Sequence, residues 1–253
     1  LGEHIFLDEP APAFILNSVG EGHTLLLNFL ETQYARYPYD GPFGLMREVL
    51  DLAGVDIPVT VTNKHGTRRW GYQVTRYRQA QNRYIGVYRM SFTPSYYDEE
   101  TRIVLNEKRH VYLVDGVKDA KNGILQEPEY LGHTAAPVAQ LKGMSSALVA
   151  ALPYQVRGLK MKVPGRVNAG DTVEGRVVLN TTAATPGLHV VHVMVRRPDG
   201  TIHRGYSQNI LLASAGEGTF QIPFALNDTP GKWQLRVREV VTGFDRTRTV
   251  RVR

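Results

Sequence analysis

The sequence contains no cysteine, and this absence excludes several kinds of site at once. Disulfide bridges, thiolate zinc sites, iron–sulfur clusters and cysteine nucleophiles all need the missing side chain. The absence does not decide the compartment, because proteins outside the bacterial cytoplasm also fold without disulfides. The remaining chemistry has to come from carboxylates, histidines, hydroxyls and basic groups.

Long apolar runs are also missing. A bilayer span needs about 18 consecutive apolar residues, and the longest candidate here, residues 25–30, is much shorter. The sequence therefore predicts no membrane-spanning segment. The chain begins at Leu1 without an export-type leader, so we expect that processing has removed its start or that it belongs to a longer polypeptide. The strand-like residues 13–16 favour the longer polypeptide.

The composition is that of a globular protein. Hydrophobic residues make up 42% and charged residues 21% of the 253 residues, which excludes disordered, collagen-like and coiled-coil classes. A chain of this length is typical of two domains of ordinary size. The 24 glycines and 14 prolines suit many short strands joined by turns.

The first part of the chain predicts a hairpin and a helix. Strand-like runs at 13–16 and 24–29 flank Gly20 and Gly22, which can adopt the positive φ of a tight reversal. Residues 44–53 carry apolar side chains at helical spacing, and Gly54 stands where a helix would stop.

From Ile57 onward the apolar period changes to two, which indicates strands. The turn sequences Gln79–Asn82 and Asp115–Gly116 separate several of these strands. The clearest predicted strands of this stretch are 71–78, 83–90, 109–114 and 146–152. They predict a first antiparallel β-sandwich.

A second series of seven strands follows. Turn residues such as Pro198-Asp199-Gly200 recur at the spacing of an immunoglobulin-like or fibronectin-like sandwich of about 100 residues. The predicted strands are 159–163, 172–179, 188–196, 205–212, 218–224, 232–239 and 247–252. The fold class expected for the whole chain is mainly β, with two antiparallel β-sandwich modules, the second immunoglobulin- or fibronectin-like. We place the boundaries at 1–56, 57–156 and 157–253, and expect the two sandwiches to pack directly against each other.

Positive charge is concentrated in the last of these segments. Residues 157–253 carry a net charge of +8, whereas residues 1–156 carry −2. The ordinary interpretation is a solvated outer face or a charged sheet edge. The alternative is a basic docking face for an acidic partner such as a polysaccharide or another protein domain. Its candidate residues are Arg236, Arg238, Arg246, Arg248 and Arg251. We expect no nucleic acid as the partner, because no known nucleic-acid-binding module is evident.

Aromatic residues of the first sandwich are candidates for carbohydrate binding, because exposed rings can stack on sugars. Core packing or cross-strand pairing is the more common role of such rings. The candidates are Trp70, Tyr72, Tyr96 and Tyr97.

The acidic run Asp98, Glu99 and Glu100 is the densest group of carboxylates in the chain. Its members repel one another, and a solvated loop tip is the common placement. A calcium site is the weaker alternative, because the run lacks the alternating spacing of a dedicated calcium loop. We expect no other metal site and no cofactor. His189 and His192 lie three apart in a predicted strand, so they point to opposite faces.

Motifs of catalysis are missing from the sequence. A G-x-S-x-G nucleophile elbow does not occur, and Gly20-Glu21-Gly22 lies in a hairpin without the helix of a dinucleotide fingerprint. No catalytic residue is therefore assigned.

The segment 13–55 resembles the last strand pair and last helix of the amidotransferase-like trimerisation domain in bacterial β-galactosidases of glycoside hydrolase family 42. The family's G-x-G-x-x-x-x-L-N-F hairpin stands here as Gly20, Gly22, Leu27, Asn28 and Phe29. The stretch that begins at VTVTNKHGTRRWGYQVTRYR is similar to the β-sandwich that follows this domain in related hydrolases, and the stretch from YSQNILL to VVTGF is similar to their terminal immunoglobulin-like module.

This resemblance implies a role beside a catalytic domain. The family's catalytic glutamates belong to an N-terminal barrel that these residues do not match, and residues 1–56 would be a short α/β remnant of the trimerisation domain. The resemblance implies a non-catalytic accessory region of a bacterial glycoside hydrolase that supports assembly or attachment. The compartment stays open, with a location outside the cytoplasm favoured over one inside it. The partner of this region would be the missing N-terminal region or a second copy of the chain. The alternatives are a carbohydrate-binding module that uses the first-sandwich aromatics, or a structural protein of filaments or surfaces.

Overall fold

The computed structural model describes residues 14–28, 48–69, 72–89, 100–114, 127–140 and 146–253. Within these ranges the chain forms eighteen β-strands. In chain order they are β1 Phe14–Val19, β2 Gly22–Leu27, β3 Val59–Asn63, β4 Tyr72–Gln79, β5 Asn82–Arg89, β6 Glu100–Leu105, β7 Arg109–Leu113, β8 Glu129–Thr134, β9 Val138–Gln140, β10 Ser146–Leu152, β11 Val156–Lys162, β12 Arg166–Val167, β13 Thr172–Thr181, β14 His189–Arg196, β15 Gln208–Leu212, β16 Glu217–Pro223, β17 Gly231–Glu239 and β18 Asp245–Val252. The mainly β fold class is confirmed.

The first sandwich consists of two sheets. The strand orders are β3-β6-β9 and β4-β5-β10-β7-β8, with antiparallel pairing throughout. Apolar side chains of the two inner faces meet in one core cluster, as the period of two requires. Val61, Ile103, Ile85, Val87 and Val149 are among its buried members.

Strand β10 is buried on both faces, and its sequence SALVAAL shows why. Ala147, Val149 and Ala151 belong to the core cluster of the first sandwich, whereas Ala150 and Leu152 belong to the cluster that fills the second sandwich. A strand covered on both sides has apolar residues at consecutive positions instead of alternating ones. The five-stranded sheet of the first sandwich is therefore a middle layer, and the expected direct packing of the two sandwiches is observed.

The second sandwich pairs a three-stranded sheet, β11-β13-β16, with a five-stranded sheet, β12-β18-β17-β14-β15. Trp233 is fully buried between them and meets Phe224 edge-on, with ring centroids 5.1 Å apart. Gly175 lies opposite Phe220, whose ring occupies the space that a side chain at 175 would need: an added Cβ would lie 2.1 Å from Phe220 Cζ.

The predicted hairpin is observed as β1–β2, which form a separate two-stranded sheet. The predicted helix is observed at 48–52, while its first residues lie outside the described ranges. Gly54 has φ +68°, and Val55 N donates to Leu50 O at 2.9 Å while Gly54 N donates to Asp51 O at 3.1 Å. This bond pair is the Schellman motif, so Gly54 ends the helix as the sequence predicted. Within the described residues, no helix is long and apolar enough to cross a membrane.

The shortest strands were not predicted from the sequence. Strand β9 has three residues and β12 has two, which is too short for a pattern to show. The second sandwich therefore has eight strands instead of the expected seven. Strand β15 begins at Gln208 and not at Gly205, because Tyr206 N and Ser207 N both donate to His203 O and form a turn there.

Candidate functional site

The most unusual chemistry of the described chain is a polar network buried between the two sandwiches. Tyr154 follows β10, His189 begins β14 and Glu239 ends β17. The Tyr154 hydroxyl lies 2.8 Å from His189 Nε2, and His189 Nδ1 lies 3.0 Å from Glu239 Oε1. The side chains of His189 and Glu239 are fully shielded from solvent. We name Tyr154, His189 and Glu239 the junction triad.

Strand alternation explains why His189 and Glu239 face inward. Trp233, Leu235 and Val237 are buried at every second position of β17, and Glu239 is the next position of the same face. Val191, Val193 and Val195 continue the face of β14 on which His189 stands. A period of two therefore places a carboxylate and an imidazole on the inner face of adjacent strands.

Glu239 accepts hydrogen bonds at both carboxylate oxygens. Besides His189, Oε1 accepts from Val241 N at 3.1 Å. Oε2 accepts from Thr242 N at 2.7 Å and from Thr242 Oγ1 at 2.6 Å. Burial of a carboxylate is costly unless such donors surround it, so the turn after β17 is part of the network.

The hydrogen-bond pattern also defines the role of the imidazole ring. The Tyr154 hydroxyl has one proton and donates it to Pro186 O. His189 Nδ1 donates to the Glu239 carboxylate in the tautomer that protonates this nitrogen, and Nε2 lies against the Tyr154 hydroxyl oxygen. The imidazole ring therefore links the tyrosine to the carboxylate.

Three tyrosines around the junction triad hold their protons more tightly than usual. Burial raises the pKa of Tyr112 to about 12, and the negative charge of Glu239 adds to the shift, while a backbone hydrogen bond with Val156 opposes it. Burial likewise raises the pKa of Tyr154 and the pKa of Tyr84. The phenols therefore act as neutral hydrogen-bonding groups and not as bases.

Two further hydrogen bonds tie the β4–β5 turn of the first sandwich to the segment before β14. Asn82 Nδ2 donates to Pro186 O at 3.1 Å, and Leu188 N donates to Gln79 Oε1 at 3.2 Å. Gly187 lies between these two contacts with φ +86°, and a Cβ there would come within 3.1 Å of Gln79 Oε1. The turn needs glycine for both reasons.

The hydrogen-bonded chain of the junction triad resembles a proton relay, but its burial determines its role. A relay that acts on a substrate needs at least one member in contact with a solute. His189 and Glu239 have no exposed surface, and Tyr154 is 5% exposed. The arrangement therefore fixes two packed modules in one orientation.

The basic residues singled out from the sequence divide between the two faces of one sheet. The cross-strand pairs Arg236–Thr247 and Arg238–Asp245 lie on the outer face, as does Arg251 opposite Lys232. Arg246 and Arg248 are paired with Val237 and Leu235 and so belong to the inner face, at the open end of the sandwich. Their local partners differ as well: Arg236 Nε donates to Asp245 Oδ2 at 2.7 Å, and Arg246 Nε donates to Leu159 O at 3.1 Å.

Of the four candidate sugar-binding aromatics, only Tyr72 lies within the described residues. Its side chain is half-buried and packs against the core of the first sandwich, and its hydroxyl oxygen is shielded from solvent. Trp70, Tyr96 and Tyr97 lie outside the described ranges.

The acidic run lies mostly outside the description as well. Asp98 and Glu99 are not described, and Glu100 is described only as the first backbone position of β6. Among the residues that the structure does describe, no group of three or more histidines, aspartates or glutamates could hold a metal ion. His189 and His192 point to opposite faces as predicted, with His189 buried and His192 Nδ1 lying 2.7 Å from Asn209 Oδ1.

Sequence reasoning missed the junction triad, although part of its signal was present. The positions of His189 and Glu239 in their strands predict inward-facing side chains. Nothing local to Tyr154 shows that it reaches His189, because the two are 35 residues apart and meet only after the sandwiches have packed.

No family model matches the chain, and no curated protein matches it. Among solved structures, a β-glucosidase from Listeria innocua aligns with 58% of this chain and 22% of its own, at 14% identity and a TM-score of 0.28. A tetra-tandem repeat from the extending region of a large adhesion protein aligns with 77% of this chain and 49% of its own, at 12% identity and a TM-score of 0.32. A superoxide reductase from Ignicoccus hospitalis aligns with 39% of this chain and 82% of its own, at 10% identity and a TM-score of 0.30. Likenesses this weak support no argument about activity.

Proposed function

We propose that the chain is a non-catalytic accessory region of a glycoside-hydrolase-like protein and that it supports assembly or attachment. The observation that carries this proposal is an uncovered apolar face on the β1–β2 hairpin. The face is formed by Ile15, Val19 and Leu26, which we name the hairpin surface.

The hairpin surface follows from the register of the two strands. Ile15 pairs with Leu26, and Val19 lies on the same face of the hairpin, four residues after Ile15. The exposed fraction is 43% for Ile15, 59% for Leu26 and 60% for Val19. The opposite face, with Leu16 and Leu25, borders the helix at 48–52 across a small cavity of about 220 Å³, and Leu16 is also 54% exposed.

An isolated two-stranded hairpin has little stability in water, and clustered exposed apolar residues are typical of interaction sites. Both sandwiches have continuous cores of buried apolar side chains, and they also expose apolar residues such as Leu226 and Leu211. The contrast supports a role in which the sandwiches provide a rigid body and the hairpin provides the attachment. The partner we propose is a second copy of the chain or, as the resemblance implies, a catalytic domain of the glycoside-hydrolase type.

The division into residues 1–56, 57–156 and 157–253 is part of the proposal, with the last segment as an immunoglobulin-like module. The three-plus-five arrangement of its strands, antiparallel except for the short parallel pair β12–β18, supports this assignment. The resemblance to family 42 β-galactosidases supports the placement of this region beside a catalytic domain.

The proposal is tested by measuring the molar mass of the chain by light scattering over a range of concentrations. We expect self-association that is lost in the double variant Ile15→Thr, Leu26→Thr, which keeps β propensity and removes the apolar face. The matched control is Leu226→Thr, since Leu226 is 85% exposed but lies in the second sandwich. If the double variant associates like the wild type, the hairpin surface is not the attachment site.

The non-catalytic part has a separate test with chromogenic glycosides. We expect no turnover by the chain at any pH at which it is folded. Turnover that co-purifies with the protein and persists after repeated chromatography would overturn this part of the proposal.

A further inference from the structure

The inner face of the β4–β5 hairpin changes character along its length. Val74 and Val87 pair across the two strands and face the core of the first sandwich. Towards the turn, the same face continues with Arg76, Arg78 and Arg83. In a β-sandwich these positions point towards the opposing sheet and are normally apolar.

Two of these arginines are direct cross-strand partners. Arg78 pairs with Arg83 in the register of the hairpin, and like charges placed directly opposite each other destabilise a sheet. Arg78 Nε donates to the backbone oxygen of Ala80 at 3.0 Å, which does not neutralise its charge. The pair is therefore unfavourable for the stability of the hairpin, although Glu107 offsets the charge of Arg83.

The available acidic groups only partly balance the positive charge. Glu107 is shared, because its Oε1 lies 2.6 Å from Arg83 Nη2 and 2.7 Å from Arg109 Nη2. The hydrogen bond from Arg109 lowers the pKa of Glu107, so this carboxylate stays ionised. Asp56 is the other acidic residue at this end among the residues that the structure describes. Within that part of the chain, Arg76, Arg78, Arg83 and Arg109 outnumber the two carboxylates.

The three arginines line an open cleft of about 650 Å³ between the edge strands of the two sheets. Asp56 lies on one side of the cleft, before β3, and Asn106 lies on another, directly after β6. Asn106 Oδ1 accepts from Arg83 Nη1 at 3.0 Å, which turns the amide NH₂ group away from Arg83. We name this space the arginine cleft.

The groups of the cleft define the chemistry of a ligand. Guanidinium groups bind a carboxylate with charge-assisted, often bidentate hydrogen bonds. The Asp56 carboxylate can only accept hydrogen bonds, and hydroxyl groups of a ligand can donate them. A ligand that offers a carboxylate and several hydroxyls together is an acidic sugar, and the cleft has room for more than one ring.

We propose that the arginine cleft binds an oligosaccharide that contains uronic acid. The guanidinium groups of Arg76 and Arg78 hold the carboxylate, while Asp56 and Asn106 bind ring hydroxyls. Tyr72, the one aromatic candidate within the described residues, does not line this site, and the proposal does not depend on the attachment role of the hairpin surface.

Binding is measured by isothermal titration calorimetry on the full chain with α-1,4-linked trigalacturonate, and with neutral galactotriose for comparison. We expect saturable binding of trigalacturonate only, with an affinity that falls as salt is raised. Arg76→Gln and Arg78→Gln should each weaken binding by about tenfold or more, the usual effect of losing one charge-assisted contact.

The matched control is Arg248→Gln, which removes the same charge from the second sandwich and should leave the affinity unchanged. Circular dichroism of each variant shows whether it folds, and Arg78→Gln should melt no lower than the wild type because it removes a like-charge pair. Equal affinity for galactotriose, equal affinity for inorganic sulfate, or no saturable binding of trigalacturonate would overturn the proposal. None of these results affects the light-scattering test of self-association.

Discussion

Glu239 shows how a single carboxylate is accommodated inside an all-β core. It ends a strand whose inner face is otherwise Trp233, Leu235 and Val237, and it is fully buried. Four hydrogen bonds from His189, Val241 and Thr242 replace the water that it loses. The residue is tolerated because every partner is in place, so the loss of any one should be felt strongly.

We therefore expect Glu239→Ala to lower the free energy of unfolding by about 3 to 5 kcal/mol, since it leaves His189 and two backbone amides buried without an acceptor. Urea denaturation measures this change. Glu217→Ala is the control, because the ion pair of Glu217 with Arg176 is about half exposed and should contribute no more than about 1 kcal/mol. Equal losses in the two variants would contradict the structural role of the junction triad.

Tyr112 makes stability depend on alkaline pH. Burial raises its pKa from 10.0 to about 12, so the folded state keeps the phenol proton where the unfolded chain releases it. The stabilisation is complete below pH 10 and is lost as the pH rises from 10 to about 12. A shift of this size corresponds to about 2 to 3 kcal/mol.

Urea denaturation at a series of pH values between neutrality and pH 12 tests this expectation. The wild type should lose stability steeply above pH 10, and Tyr112→Phe should lose less over the same interval because it has one phenol fewer to ionise. Parallel curves for the two proteins would show that Tyr112 ionises alike in the folded and unfolded states.

At the scale of elements, strand pairing was predictable where the apolar period was long and turn residues were clear. The β1–β2 hairpin and the helix stop at Gly54 are observed as predicted. Strands β9 and β12 were not predictable, because segments of three and two residues are defined by their neighbours and not by their own pattern. The arginine cleft was missed for a similar reason: the alternation gave the faces of β4, but not which face would meet the second sheet.

The β4–β5 turn provides a prediction at this scale. Ala80 has φ +52°, a left-handed conformation that costs an L-residue roughly 1 to 2 kcal/mol relative to glycine. Glycine also increases the conformational entropy of the unfolded chain, which offsets part of this gain. Ala80→Gly should therefore raise the free energy of unfolding by up to about 1 kcal/mol.

The same substitution in an ordinary strand should act in the opposite direction. Ala147 is a buried position of β10 without positive φ, and Ala147→Gly should destabilise by about 1 kcal/mol. Thermal denaturation of both variants distinguishes the two effects, and a loss of stability in Ala80→Gly would mean that the turn is not strained.

At the scale of the whole molecule, the core of the second sandwich extends into the first. Tyr112, Ala150 and Leu152 belong to the same buried cluster as Trp233 and Leu235. The sequence places a boundary near residue 157, because the strand pattern and the net charge change there. This boundary therefore does not separate two independent cores. Sequence alone could not show this, because contacts between modules leave no local period.

We expect the two sandwiches to unfold in one cooperative transition. In the variant Trp70→Phe, Trp233 is the only remaining tryptophan, so fluorescence reports the second sandwich alone. Far-ultraviolet circular dichroism reports both. The two urea transitions should coincide, and the variant Asn82→Ala, which removes the hydrogen bond to Pro186, should separate them or lower both midpoints. Separate transitions in Trp70→Phe would contradict the shared core.

The middle layer also constrains how this region can be inherited. A gene fusion that transferred only the C-terminal sandwich would leave out β10 and Tyr112, which cover part of its core. The transferred module would then expose an apolar patch to solvent. Exchange between proteins should therefore favour the pair as the unit of transfer. Recombination breakpoints that preserve folding would then lie before β3 or after β18, and not at the boundary near residue 157.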